Sequence, residues 1–365
     1  MIDIKRVKLS ELNALVSSPK YPSWEVIPIS RHRAISYINN PRASDNDIAL
    51  YLAYIDNELV GYRTILSDTI FKNGKAIKVG WLSGNWVNPK LRRKGIATAL
   101  FNAAFSDWGE KLLFTNYALE SKAVYDKTSR FQLLETLKGR RFYLRPCLAK
   151  ILPAKGPTYK ALKPIWHSID FILELLNPIP LFGKLIRTKG ISIEYLAYPD
   201  NEVRDIFTST LTITPTARSG NDLQWILRHP WLVSSPLADR IGDKYYFSSS
   251  PKKFEQLLLK VYRQNQLLGI IMINNRDGFA TTPYVICNIN EEKLFAKIIA
   301  KHALAMGCNR LTTFNQPIAY ALSSIFPLGL LSKSQKRNFY ASQKVVNIIE
   351  KGATFAEGDG DCAFV

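Results

Sequence analysis

The sequence is short of the residues that metal and redox chemistry need, with four cysteines and four histidines in 365 residues. Cys147, Cys287, Cys308 and Cys362 lack ligand spacing and the histidines form no cluster, so no metal site is expected. Free thiols in a reducing cytosol are the simplest account, which makes the expected location cytoplasmic. No apolar run approaches the roughly 20 residues of a membrane helix, so no membrane span is expected. Met1–Arg6 has none of the charged-then-apolar plan of a signal peptide. Acidic residues are also scarce, 30 against 49 basic, for a net charge of +19. Such a balance suits nucleic acid, an anionic membrane face or a small anionic ligand. The cations are spread along the chain without a Lys/Arg block or an aromatic-interleaved basic motif, so nucleic acid is not the expected partner. What is present in quantity is core, with 47% hydrophobic and 12% aromatic residues. The length is comfortable for two domains.

The most informative stretch is Val79–Trp108. An apolar strand to Val87 is followed by a turn at Asn88-Pro89, and a helix is expected from near Leu91. Ile96, Leu100, Ala104 and Trp108, with Ala97, Phe101 and Phe105, make one buried face; Lys94, Thr98, Asn102 and Asp107 lie opposite. Three consecutive cations, Arg92-Arg93-Lys94, oppose the dipole of a helix start unless an anion docks there. Gly95 and Ala97 are small enough to let a phosphate reach the first-turn N–H groups.

Val87-x-Pro89-x-x-Arg92-x-x-Gly95-x-Ala97 resembles the acetyl-CoA signature of the GNAT superfamily of N-acetyltransferases. That resemblance implies that Arg92, Arg93, Lys94, Gly95, Ile96, Ala97 and Thr98 hold the CoA pyrophosphate. It also implies that Trp86 and Val87 line up the pantetheine arm and thioester, and that Asn116 sits where the next strand splays away. The motif is specific because it follows an apolar strand and precedes an amphipathic helix.

Taken in order, Ser10–Val16 reads as a short helix capped by Ser10, and a second starts after Ser30 with Ala34, Ile35 and Ile38 inward. Ile48–Ile55 and Leu59–Tyr62 form a hairpin around Asp56-Asn57-Glu58. After the central strand and helix come a strand at Leu112–Asn116, a helix over Ser121–Thr128 and a closing strand at Arg141–Leu144. This is an α/β (α+β layered) fold, a mixed central sheet flanked by helices, in the element order of the GNAT fold over about residues 1–145. Residues 148–190 are broken by prolines and carry an amphipathic stretch, Ile165–Leu176. They read as a connector whose helix packs across both halves; Asp170 and Glu174 argue against a membrane-surface anchor.

The second half repeats the first about 200 residues on. Asn57–Tyr62 recurs as Asn265–Ile270, Leu112–Asn116 as Leu311–Asn315, and Phe142-Tyr143 as Phe339-Tyr340. The expectation is a duplicated fold with segments 1–147 (GNAT acetyl-CoA-binding), 148–190 (connector) and 191–365 (degenerate GNAT-like). At the equivalent helix start, Asn290-Glu291-Glu292 offers a cap and two carboxylates, which would satisfy the dipole and repel a phosphate. The second half is therefore not expected to bind CoA.

Acetyl transfer to an amine needs an oxyanion donor, a base for the ammonium proton and an acid for the departing thiolate. The resemblance puts the donor near Trp86-Val87 and makes Tyr125 the acid; a packing tyrosine is the other reading of that position. Two departures stand beside it. Ala118 replaces the family's Asn seven residues before the tyrosine, and Phe131 falls six residues after it instead of five. No carboxylate or histidine lies in Val79–Val87, so the base is sought among Asp68, Glu120, Asp359, Asp361 and the Val365 carboxylate. Trp225, His229 and Trp231 either wall a substrate cleft or pack at a turn.

The expected activity is acetyl-CoA-dependent N-acetyltransfer to a primary amine of a small molecule or peptide, with acetyl-CoA as co-substrate. The alternatives are a CoA-binding protein without turnover, a basic nucleic-acid or membrane-surface protein, and an aminoacyl-transferring relative. The acceptor, the acyl chain and the oligomeric state are not encoded in any motif.

Overall fold

The computed structural model describes residues 1–115, 125–126, 128–234, 240–247, 250–325, 327–350 and 352–364. Asn116, Glu120 and most of the helix expected at Ser121–Thr128 lie outside the described residues, as does Val365. Two compact units are built from discontinuous stretches: Met1–Leu137 with Leu196–Phe254 and Arg337–Val365, and Lys138–Tyr195 with Glu255–Lys336.

The strands are β1 (Asp3–Lys8), β2 (Ile48–Ile55), β3 (Glu58–Lys72), β4 (Lys75–Val87), β5 (Leu112–Thr115) and β6 (Phe131–Tyr143). They continue as β7 (Ile191–Leu196), β8 (Phe254–Arg263), β9 (Gln266–Arg276), β10 (Phe279–Cys287), β11 (Arg310–Thr313) and β12 (Ser332–Ser342). The helices used below are α1 (Leu12–Ser17), α2 (Arg31–Ile38) and α3 (Ile96–Asp107).

In the first unit the strand order is β1-β2-β3-β4-β5-β12. The apolar run of β2 is buried from Ala49 to Ala53. Asp56 and Asn57 close the β2–β3 hairpin at φ 49 and 64, the two positive angles of a type I′ turn. β4 then runs antiparallel to β3, with Gly61↔Val87 and Tyr62↔Trp86 at its end. α3 buries Ile96, Leu100, Phe101, Ala104 and Phe105 against β2, β3 and β4. Gly61 makes this approach possible: a Cβ there would stand 2.9 Å from Ile96 Cγ2 and 3.1 Å from the Trp86 carbonyl oxygen.

The second unit runs through the same sequence of elements: β8, β9, β10, a helix (Glu292–Ala305), β11 and a helix (Gln316–Ser323). β10 and β11 pair in parallel, as β4 and β5 do in the first unit. Gln264 and Asn265 take φ 48 and 65, the turn geometry of Asp56-Asn57 again. The expected mixed α/β sheet with flanking helices is present, and its order of elements occurs twice.

Five expectations are corrected. The strand at Arg141–Leu144 does not close the first unit: Tyr143, Phe142 and Arg141 pair with Arg310, Leu311 and Thr312 of β11. The edge of β5 is instead covered by β12, with Phe339↔Thr115, Tyr340↔Phe114 and Ala341↔Leu113. The equivalent segments Phe142-Tyr143 and Phe339-Tyr340 are thus exchanged, because an alternating apolar strand carries no label for its partner. The helix expected from Leu91 begins at Ile96; a 3-10 turn at Pro89–Leu91 and a left-handed Gly95 precede it. α2 is capped by Ser30 as expected, but Ile35 and Ile38 are exposed while Arg33, Ser36 and Tyr37 join Ala34 inside. Polar partners, not apolar spacing, set that face. At the first helix the carboxylate of Glu11 accepts from the Lys8 backbone N–H and Ser10 is no cap. Asn290 is no cap either: it makes a left-handed turn at φ 72, and Glu291 pairs with Arg263.

Replacing Gly61 with valine should push α3 off β3. A stability loss of about 1–3 kcal/mol is expected, as for other overpacked cores, read from urea unfolding midpoints.

Candidate functional site

The site is built where β4 and β5 part. Their pairing is confined to Gly80↔Leu112 and Trp81↔Leu113. Beyond it β4 continues to Val87 along β3, and β5 continues to Thr115 along β12. Phe114 and Thr115 are successive residues of β5 and so point to opposite faces of the sheet. Each face carries one chemically capable group.

On the α3 face, the buried Tyr125 ring stacks on Phe114 with centroids 4.5 Å apart and meets Phe101 edge-on at 5.7 Å. Its hydroxyl accepts a hydrogen bond from Arg63 Nη1 at 2.9 Å. A hydroxyl carries acceptor lone pairs besides its O–H, and the bond from Arg63 uses one of the acceptor positions. Arg63, on β3, is 1% exposed. Sequence reasoning missed it, since an arginine in an otherwise apolar strand has no motif to announce it.

On the other face lies Asp361, from the chain's final segment. Its Oδ2 accepts from Ser83 Oγ of β4 at 2.6 Å and its Oδ1 from Thr115 Oγ1 of β5 at 3.4 Å. The carboxylate therefore bridges the two strands across their separation. Ser83 Oγ in turn accepts from Arg33 Nη2 at 2.5 Å. Arg33 also donates to Tyr37 and Thr64, and through Nη1 to Tyr245 Oη at 2.9 Å, and it lies over the Trp231 ring at 4.0 Å. Burial by itself would lower this guanidinium's pKa, but the fields of Tyr245, Tyr37 and Asp361 outweigh it and the net shift is upward. Burial pushes the Tyr245 hydroxyl up to about 12 against the pull of Arg33.

The final segment is held by a second buried network. Asp359 Oδ1 accepts from Thr216 Oγ1 at 2.8 Å and from Arg218 Nε at 3.3 Å. Arg218 Nη2 donates to Asp68 Oδ2 at 2.9 Å, which also takes the Trp81 indole N–H at 2.8 Å. Arg42 bridges Asp68 to Asp222, with Nε to Asp222 Oδ1 at 2.6 Å. Desolvation raises the Asp359 pKa beyond what Arg218 and Thr216 recover, whereas at Asp222 the Arg42 bonds overcome desolvation and the net shift is downward. Between the two aspartates Gly360 sits at φ 65, and a Cβ on it would stand 2.8 Å from Trp81 Cε3. Gly358-Asp-Gly-Asp361 thus reads as anchor, clearance and a carboxylate at the strand separation.

These contacts sort the sequence candidates. Asp68 and Asp359 are engaged by arginines, leaving Asp361 as the described carboxylate at the strand separation. Trp225 and Trp231 donate to the backbone and hydroxyl of Ser36 and close on Phe364, so they pack the final segment instead of walling a cleft. His229 is half-buried beside Arg228; burial first and that cation second lower its pKa.

At the end of β4, Trp86 is buried and stacks on Tyr62 at 5.6 Å, while Val87 packs on the α3 face. The turn that follows holds Arg92, Arg93, Lys94 and Gly95 exposed. Arg93 and Gly95 adopt φ 66 and 81. Among the described residues a Cβ built on Gly95 meets nothing within 4 Å, so the space over the helix start is open there. The first-turn N–H groups of Ile96, Ala97 and Thr98 have no acceptor within the helix. The cations lie ahead of α3 rather than within its first turn. A loop of this kind fits a pyrophosphate: open space, three backbone donors and three cations. Among the described residues no group of three or more His, Cys, Asp or Glu could hold a metal ion.

Residues 10–127 match the profile of the Acetyltransferase (GNAT) family. Over this region the chain is similar to the GNAT family. No curated protein sequence matches it. Among solved structures it is similar to Saccharomyces cerevisiae N-myristoyltransferase with bound myristoylCoA, at TM-score 0.52 and 10% identity over 93% of this chain and 82% of that one. It is also similar to a putative acetyltransferase from Pyrococcus horikoshii, at TM-score 0.47 and 14% identity over 95% and 92% of the two chains. A GCN5-related N-acetyltransferase from Kribbella flavida aligns at TM-score 0.46 and 10% identity over 93% and 70%. The first of these likenesses is one of fold.

Arg218→Met would strip two buried carboxylates of a partner and should cost about 3–5 kcal/mol of stability. Arg6→Met, which breaks the half-exposed Arg6–Asp107 pair, should cost under about 1 kcal/mol. Chemical unfolding of the two variants side by side checks the contrast.

Proposed function

We propose that the chain is an acyl-CoA-dependent N-acyltransferase that moves an acetyl group to a primary amine of a small molecule or peptide. The observation that carries this reading is the strand separation with Tyr125 on one face and Asp361 on the other. Residues 1–147 would supply the acyl-CoA site, 148–190 the connector and 191–365 a degenerate GNAT-like partner whose final segment completes the first site. The carboxylate of Glu291 at the second unit's helix start supports the view that CoA binds once.

In this reading Arg92, Arg93, Lys94 and the N–H groups of Gly95, Ile96, Ala97 and Thr98 hold the pyrophosphate. Trp86 and Val87 align the pantetheine arm by strand-like pairing, and Asn116 lies on its other side. Acyl-CoA supplies a thioester whose carbonyl the amine attacks. A C–N bond forms and the C–S bond breaks. Asp361 receives the ammonium proton, Tyr125 Oη gives its proton to the leaving sulfur, and Arg63 stabilises the phenolate left behind. Ser83 and Thr115 hold the Asp361 carboxylate at the opening. The backbone N–H groups at the end of β4 are the candidate oxyanion donors.

Calorimetric titration of acetyl-CoA should give binding near one equivalent, lost in Gly95→Glu. The same titration with a long-chain acyl-CoA sets the acyl preference. With an amine panel, Asp361→Asn and Tyr125→Phe should each lower kcat by about 10²–10⁴ with little change in acetyl-CoA affinity. Absence of binding by the native protein would overturn the acyltransferase reading. Binding with full kcat in both variants would overturn the assigned acid and base.

A further inference from the structure

In the second unit the helix Lys163–Leu175 is turned inside out. Ile165, Phe171, Ile172, Leu175 and Leu176 are 51%, 66%, 56%, 71% and 75% exposed. Positions 165, 172 and 176, with 171 and 175 beside them, form one face of the helix. The next helix, Ile179–Leu185, adds Leu181 and Leu185 at 63% and 68%. A surface helix of a globular domain normally buries this face, and contiguous exposed apolar area on this scale marks an interaction site.

The helix's two acidic residues point the other way. Asp170 accepts from the backbone N–H groups of Leu148 and Ala149 at 2.8 and 2.9 Å. Glu174 pairs with Arg145 and accepts from Asn177 at 3.2 Å. They are the only acids between residues 146 and 190, and both are engaged on the protein side. Pro164 stands in the first turn, where it costs the helix nothing. The features that argued in the sequence against a membrane-surface element therefore do not apply.

Flanking this face along the chain are Lys155, Lys160, Lys163, Lys184, Arg187 and Lys189, all exposed and, among the described residues, in no ion pair. We propose that residues 157–185 form an interfacial element that lies on an anionic lipid bilayer, apolar face down and cations against the headgroups. An apolar face flanked along the chain by cations in no ion pair meets its complement in acyl chains capped by anionic headgroups. A second copy of the same face would bring two sets of cations together. No helix of the described residues is long and apolar enough to cross a membrane, so the element lies on the surface. This proposal stands apart from the acyltransferase reading.

The test is co-sedimentation of the full chain with vesicles of phosphatidylcholine alone or with 30 mol% phosphatidylglycerol (about a third of the lipid, the composition chosen so that anionic charge is ample). The native chain should pellet with the anionic vesicles and remain in solution with the neutral ones. Lys160→Gln, Lys163→Gln and Lys184→Gln combined should weaken partitioning roughly fivefold per lysine. Phe171→Asp with Leu175→Asp should abolish it; thermal melts of both variants confirm that these exposed changes leave the fold intact. Failure to bind anionic vesicles, or undiminished binding by the aspartate variant, would overturn the proposal. So would concentration-dependent self-association that the aspartate variant removes while vesicles are ignored, since a second copy would then be the occupant.

Discussion

The buried Asp68–Arg218–Asp359 array is the interaction on which the site's geometry rests. Arg218 reaches a strand carboxylate and a carboxylate from the final segment at once, so it fastens that segment across β3 and β4. Ion pairs of this kind contribute little net stability, because desolvation offsets much of the Coulomb attraction. What they provide is register. Asp359 can be satisfied in one place only, and Gly360 then passes over Trp81 to leave Asp361 two residues further on, between Ser83 and Thr115.

A second arginine works differently. Among the described residues Arg33 has no carboxylate in direct contact and is surrounded by hydroxyl oxygens and the face of Trp231. It acts as a fixed donor that orients Ser83, and through Ser83 the Asp361 carboxylate. Arg63 plays the matching part on the α3 face by donating to Tyr125. Each candidate proton-transfer group is thus positioned by an arginine, Tyr125 directly and Asp361 through a serine. A low-dielectric surround strengthens those hydrogen bonds and makes their directions costly to change.

The duplication bears on this arrangement through the final segment. β12 covers the β5 edge before the chain turns back to Asp359 and Asp361. A single copy ending at its own last strand would have no chain left to deliver these carboxylates. In the second copy the helix start carries Glu291, paired with Arg263, in place of the glycine turn.

What could be read from the sequence was whatever depends on neighbours along the chain. The β2–β3 hairpin, the apolar face of α3, the Gly95 turn and the repeat of Asn57–Tyr62 as Asn265–Ile270 all follow from local periodicity and turn chemistry. The order of elements followed from them, and so did the fold. The partner of each closing strand did not, because Phe142-Tyr143 and Phe339-Tyr340 are the same pattern and either would satisfy β5. The inward face of α2 was misread for a related reason: burial of Arg33 and Tyr37 is repaid only by Thr64, Ser83 and Tyr245, which are distant in sequence. Arg63 gave no signal at all, and Asp361 could be named only as one of several carboxylates. Only tertiary structure brings Asp361 to the strand separation, because its partners Ser83 and Thr115 lie more than 200 positions away along the chain.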